Sequence, residues 1–229
     1  MRLDVPLELV PGDPLFPARL LSIPDPPGRL YVVGDPAVLK LPGIAVIGTR
    51  SPSAYGESMG MRIARIVAEA GYSIVSGLAA GCDTAVHTAA VRLGAPTIAV
   101  LPGGTDRIFP PENEPLARDI VDSGGALVSE YPPDTEVQEE SFAARDRLQS
   151  GLSLGVIVIE TDVESGTLIT VGHAREQGRP VACLDTHPAE YRDLPSFQGN
   201  KMLLENGDVF PIRDLEDVGE LLSKWTRIG

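Results

Sequence analysis

The sequence predicts an α/β protein: a doubly wound, mostly parallel, Rossmann-like sheet preceded by a proline-rich lead-in. Three observations predict it. Short apolar runs recur at 44–47, 73–76, 97–101, 126–129, 156–160 and 181–184, too short for helices and without alternation, as expected for strands buried on both faces. Amphipathic segments separate them, and strand–helix alternation with short turns builds a parallel sheet. Most runs end in small-residue turns, which lie at the carboxyl edge where open α/β sheets bind ligands.

Taken in order, residues 1–43 hold nine of the 21 prolines. Proline fixes φ and removes a backbone donor, so an extended, mostly non-helical lead-in is expected there, with one short strand at Leu30-Tyr31-Val32-Val33. The Rossmann-like domain is expected over 44–229. Helices are expected over roughly 56–70, 82–93, 112–123, 141–150 and 167–177. From Asn200 to Ile228 the pattern adds a helix, a brief strand at Val209-Phe210 and a closing helix.

Composition narrows the function. A hydrophobic content of 43% is ample for a core, yet no apolar stretch is long enough for a membrane span, and Met1-Arg2-Leu3-Asp4-Val5-Pro6 lacks the apolar segment of a secretory signal. Cys82 and Cys183 have no metal-type spacing and read as buried thiols, consistent with a reducing cytoplasm. The net charge of −13 repels nucleic acid at long range, although a local basic groove depends on where charges sit. From Glu130 to Glu164 nine acidic residues face only Arg145 and Arg147. Any nucleic-acid path must avoid or neutralise that segment.

The turns carry the chemistry. Gly48-Thr49-Arg50 ends the first core run: Gly allows a tight turn, Thr donates a hydroxyl and Arg can grip a phosphate bidentately. The same tripeptide also reads as a helix-capping turn with an exposed Arg. It is not a dinucleotide fingerprint, because G-x-G-x-x-G is absent. Ser76-Gly77-Leu78-Ala79-Ala80-Gly81 repeats the design, with Asp83 able to cap the next helix and His87 on the same helical face. A metal site there would need further ligands, and His173 and His187 are poorly placed, so no metal or other cofactor is expected. Gly103 and Gly104 suit a backbone that curls around an anion, or a plain βα turn. Glu160 reads either as an acceptor for a ribose hydroxyl or as a structural acceptor for loop N–H groups. Ser165-Gly166-Thr167 opens a helix whose amino terminus attracts anions. No Ser–His–Asp or Cys–His order is legible, and no P-loop Lys follows any Gly run. The chain therefore reads as a phosphate- or nucleotide-recognising protein.

Together these stretches resemble the DprA (Smf) DNA-processing family. The likeness begins at Leu20-Leu21-Ser22-Ile23-Pro24-Asp25-Pro26-Pro27 and Leu30-Tyr31-Val32-Val33-Gly34-Asp35. It runs through Gly48-Thr49-Arg50, Ser76-Gly77-Leu78-Ala79, Gly81, Asp83, His87, Asp106, Pro110 and Asn113. It continues through Ser129-Glu130-Tyr131-Pro132-Pro133, Arg145, Arg147, Gly151-Leu152-Ser153 and Ser165-Gly166-Thr167-Leu168-Ile169-Thr170, and ends at Gln177-Gly178-Arg179. Residues from about 14 to 184 are covered. The resemblance implies a cytoplasmic homodimer that binds single-stranded DNA, protects it and delivers it to the RecA recombinase without catalysis. It places Gly48, Thr49 and Arg50 in a phosphate pocket, with Arg145 and Arg147 beside it and Ser165-Gly166-Thr167 closing the edge. Ser76, Gly77, Gly103, Gly104 and Glu160 complete the candidate site.

Departures from the family pattern concentrate near that site. The family commonly reads Phe-Pro-x-Arg-Asn-Arg, and here Phe142-Ala143-Ala144-Arg145-Asp146-Arg147 stands instead. Glu164 occupies a place that is often Lys. Leu184-Asp185-Thr186-His187-Pro188 replaces a Pro-Gly turn, and only a remnant of the last motif survives near Gly199-Asn200. The resemblance reaches neither a carboxy-terminal winged helix nor a helical amino-terminal module. These changes add acid or remove base, which favours a second reading: a nucleotide or nucleotide-derived ligand at the same edge, bound or hydrolysed as by a phosphoribohydrolase. An interaction protein with a vestigial pocket is the third.

Overall fold

The computed structural model describes residues 5–185 and 188–226. Thr186 and His187, part of the departure after the sixth core run, lie outside them, as does the end of the tail beyond 226.

The described residues form nine strands: β1 (Leu7–Leu9), β2 (Leu30–Gly34), β3 (Gly43–Ile47), β4 (Ser73–Ser76), β5 (Thr97–Val100), β6 (Ala126–Ser129), β7 (Ser153–Val158), β8 (Val181–Leu184) and β9 (Phe210–Ile212). Seven helices accompany them: α1 (Ala54–Glu69), α2 (Cys82–Arg92), α3 (Glu114–Asp122), α4 (Glu139–Gly151), α5 (Thr167–Glu176), α6 (Pro195–Glu205) and α7 (Leu215–Trp225). One mixed sheet orders the strands β1-β2-β6-β5-β4-β3-β7-β8-β9. All pairings from β6 to β9 are parallel, and β1–β2 and β2–β6 are antiparallel. From β3 the chain winds to one side through β4, β5 and β6, then returns to β3's other flank with β7 and continues outward. The topological switch point therefore lies between β3 and β7, where Ile47 pairs with Val158.

The amphipathic periods explain the layers. In α1 the positions Met59, Ile63, Ala64 and Val67 fall on one face and pack against Ile44, Val46 and Ile74, together with α7 residues Leu221, Leu222 and Trp225. Each large apolar side chain so buried contributes about 1.5–3 kcal/mol before entropy is counted. On the opposite face Ala45, Ile47, Val75, Val156 and Val158 meet Leu148 of α4 and Val171 of α5. Leu20, Ile23, Val38 and Leu39 of the lead-in join that same cluster.

Three expectations are corrected. The lead-in holds a second strand, β1, and 3₁₀ turns at Ala18–Ser22 and Pro36–Lys40, the latter capped by Asp35. The seventh strand begins at Ser153 and stops at Val158, because Ser153 pairs with Gly43 while Ile159 and Glu160 already belong to the turn. The first tail helix starts at Pro195, with the fixed φ of proline placed at its first turn. Among the described residues no helix is long and apolar enough to cross a membrane.

Candidate functional site

The switch point opens into a cleft of about 940 Å³ whose floor and walls come from the ends of β3 and β7, from α4 and from the start of α5. Its first wall is the Gly48-Thr49-Arg50 turn. The Thr49 amide donates to the Glu160 carbonyl at 2.7 Å, and the Thr49 carbonyl accepts from the Cys82 amide at 3.1 Å. A Cβ on Gly48 would sit 2.5 Å from the Cys82 sulfur, so glycine is required for this close approach. Gly81 has φ +81°, and a side chain there would strike the carbonyls of Thr49 and Arg50. The turn is thus clamped from two sides, and it leaves Arg50 exposed with its guanidinium 5.0 Å from the Phe142 ring centroid.

Glu160 is fully buried. Its carboxylate accepts from the Ser53 amide at 2.8 Å and the Ser53 hydroxyl at 2.6 Å, while Ser53 Oγ in turn accepts from the Gly56 amide. Of the two roles open to it, the geometry shows the structural one: it fastens the start of α1.

The opposite wall is α4. Phe142, Asp146 and Gln149 recur at i, i+4 and i+7, one helical stripe, and all three line the cleft. Arg145 lies beneath, buried, and donates to the carbonyls of Gly77 and Val100 and to Asp146. Asp83 accepts from the amides of Gly77 and Ala79, bracing the preceding loop rather than capping its own helix. That brace and the Asn113 bond to the Leu78 carbonyl hold Leu78 at φ +57°. Burial pushes the Asp83 carboxyl up to about 6, against the pull of Arg145. Burial also raises Asp146, again opposed by Arg145. His87 hydrogen-bonds Thr97, and burial, reinforced by Arg145, lowers it to about 3.

Other candidate residues are spread more widely. Ser165, Gly166 and Thr167 line the cleft, with the Ser165 hydroxyl accepting from the Thr167 amide. The Ser76 hydroxyl is buried and donates to the Val46 carbonyl. Gly77 packs against the Arg145 guanidinium. Gly103 and Gly104 are buried under the 132–137 segment, with Ser129 donating to the Gly103 carbonyl. Arg147 points elsewhere: it binds both Glu130 carboxylate oxygens and Asp25. Among the described residues, no three His, Cys, Asp or Glu side chains gather as a metal site would require.

The family model of DNA recombination-mediator protein A matches residues 8–223. The chain belongs to that family. Protein Smf of Synechocystis is 38% identical over 206 residues, 88% of this chain and 50% of that one. The chain thus spans about half the length of that relative. Among solved structures, DNA processing protein A of Streptococcus pneumoniae superposes with a TM-score of 0.83 at 34% identity, covering 95% of this chain and 74% of the other. DNA processing protein A of Helicobacter pylori, described for its single-stranded DNA binding mode, gives 0.83 at 31%, with 98% and 99% covered.

Within the recombination-mediator frame, the departures now have places. Asp146 lines the cleft on the α4 wall, its side chain buried, whereas Glu164 is exposed beside the start of α5, its amide held by Asp162. Sequence reading named Phe142 only as part of a motif and passed over Gln149. Their shared helical stripe with Asp146 was the available signal.

Proposed function

We propose that the chain binds single-stranded DNA in this cleft, without turnover. The observation that carries the reading is Arg50. It is exposed at the switch point and stacked on Phe142, and no carboxylate pairs with it among the described residues. In this reading phosphates lie against Gly48, Thr49 and Arg50 and the amino terminus of α5, and an unstacked base rests near Phe142. Family membership and the Helicobacter pylori relative support it. The reading extends, by the family resemblance alone, to a homodimer that passes the strand to RecA. Binding without catalysis is supported by Glu160, the acid at the strand end, whose carboxylate is engaged by Ser53.

Fluorescence anisotropy with a labelled oligonucleotide tests the reading. Affinity should fall steeply with added salt, and Arg50→Ala should weaken binding about tenfold across sequences, because a phosphate contact carries no base information. A folded protein that binds no oligonucleotide at low salt refutes it. The acidic residues among the cleft lining favour the rival, a free nucleotide; tight AMP binding with no oligonucleotide binding would establish that rival, and release of its base would make it an enzyme.

A further inference from the structure

Gln177-Gly178-Arg179, a stretch shared with the family pattern, has no part in the cleft. It follows α5 and leads into β8 at Val181, so it lies at the amino-terminal edge of the sheet, away from the switch-point turns. The six residues of β7 put about 20 Å between the two edges.

Three segments meet there. Gly178, at φ +66°, turns the chain out of α5, and the Arg179 amide donates back to the Ala174 carbonyl at 2.7 Å. Gln177 Nε2 donates to the Arg147 carbonyl at 2.9 Å, which seats this turn against α4. Leu20 of the lead-in packs against Gly151 at the end of α4, where a Cβ would lie 2.7 Å from the leucine side chain. Its neighbour Arg19 donates from Nη1 to the Leu41 carbonyl at 3.2 Å.

Arg19 and Arg179, both half-buried, thereby come within electrostatic reach of each other. No carboxylate pairs with either among the described residues. The acids of neighbouring segments are engaged elsewhere: Asp25 and Glu130 by Arg147, Asp208 by Arg175, and Glu176 lies 3.5 Å from His173. Arg179 Nε is buried without an acceptor. Burial, with the charge of Arg19 added, holds the Arg179 guanidinium below its ordinary pKa. Two like charges and an orphaned donor are costly, and they persist in a chain with 32 acidic residues to 19 basic ones. A doubly charged oxyanion removes both costs, and the guanidinium fork matches phosphate oxygens in shape.

We propose that Arg19 and Arg179 form a phosphate-binding site on the amino-terminal edge of the sheet, separate from the cleft. Its ligand is a phosphate group, free in solution or carried on a nucleic-acid strand. The site stands whether or not the cleft binds DNA.

Calorimetric titration of inorganic phosphate into Arg50→Ala protein, at constant ionic strength, tests the site with the cleft's exposed cation removed. That protein should bind phosphate, and Arg19→Gln or Arg179→Gln added to it should weaken binding about tenfold. Arg19→Lys, which keeps the charge, should retain part of the affinity. Thermal melts separate a ligand site from a structural Arg179. Without phosphate, Arg179→Gln should melt no lower than its parent, and phosphate should raise the melting temperature of the parent alone. No phosphate binding to folded Arg50→Ala protein, or binding that both substitutions leave intact, overturns the site. So does an equal fall in melting temperature with and without phosphate. Short and long oligothymidines then identify the carrier. If a strand carries the phosphate, Arg19→Gln with Arg179→Gln weakens the long oligonucleotide and spares the short one. If neither strand is affected while phosphate titration is, the site holds free phosphate or a small phosphate ester.

Discussion

Asp83 and His87 lie one helical turn apart and are perturbed in opposite senses by the same buried setting. Asp83 titrates near 6 in the folded chain against an ordinary value of 3.8, so between those values the folded state holds the extra proton. Its contribution to stability falls as pH rises through that window. His87 is lowered from 6.5 to about 3, so over that range the unfolded state holds the extra proton and stability rises with pH. The two slopes oppose each other across about pH 4 to 6. Asp83→Asn should therefore unmask His87. On acidification from about pH 6 to 4.5 the variant should lose about 1.5 kcal/mol more than the wild type, since Asp83 is only half protonated at pH 6 and each proton contributes about 1.4 kcal/mol per pH unit. His87→Gln should tilt the other way. Urea denaturation at several pH values reads the slopes directly, and parallel curves for wild type and Asp83→Asn would contradict the assignment. At this scale the sequence showed the residues but not their partners. Asp83 was legible as a polar residue at a helix start, whereas its bonds back to Gly77 and Ala79 arise from the loop's path.

At the scale of elements, α1 begins where it does because Ser53 caps it and Glu160, 107 residues away, holds Ser53. The cap and its support form one unit. Ser53→Ala should cost about 1 kcal/mol, and Glu160→Gln about 1–3 kcal/mol through its charge-assisted bonds. Because both act through the same contacts, the double variant should cost clearly less than the two single losses together. Equilibrium denaturation of the three variants checks this, and additive losses would show that Glu160 supports something other than the cap. The elements themselves were largely readable. Unalternating apolar runs and 3.6-residue periods located most strands and helices within a few residues. What misled was the stretch 151–160, apolar or Gly except for Ser153 and Glu160, where periodicity cannot say which residues pair and which turn away. The register with β3 decides that.

The whole molecule draws its lead-in onto the sheet through the β2–β6 pairing and buried apolar side chains, and Arg147 adds a polar tie. It reaches Asp25 in the lead-in and Glu130 just beyond β6, while its carbonyl accepts from Gln177 after α5. Arg147→Ala leaves the half-buried Glu130 carboxylate without its partner, at a cost of about 1–3 kcal/mol. It should speed proteolytic cleavage near Asp25-Pro26-Pro27 and leave oligonucleotide affinity unchanged, since Arg147 is absent from the cleft lining. Limited proteolysis beside an anisotropy titration measures both, and lost affinity with unaltered proteolysis would return Arg147 to the DNA path.

By itself the sequence determined the α/β class, the order of strands and helices, the small-residue turns at their ends and the family likeness. These are local properties, written in periodicity and in residue types that only certain backbones tolerate. The tertiary structure alone decided which charged side chains are free. Arg50, Arg145 and Arg147 look alike in the chain. Folding leaves Arg50 in solvent beside Phe142, buries Arg145 against carbonyls 68 and 45 residues distant, and ties Arg147 to two carboxylates. A buried guanidinium must find acceptors wherever the fold supplies them, and those acceptors come from strands whose adjacency no local pattern specifies.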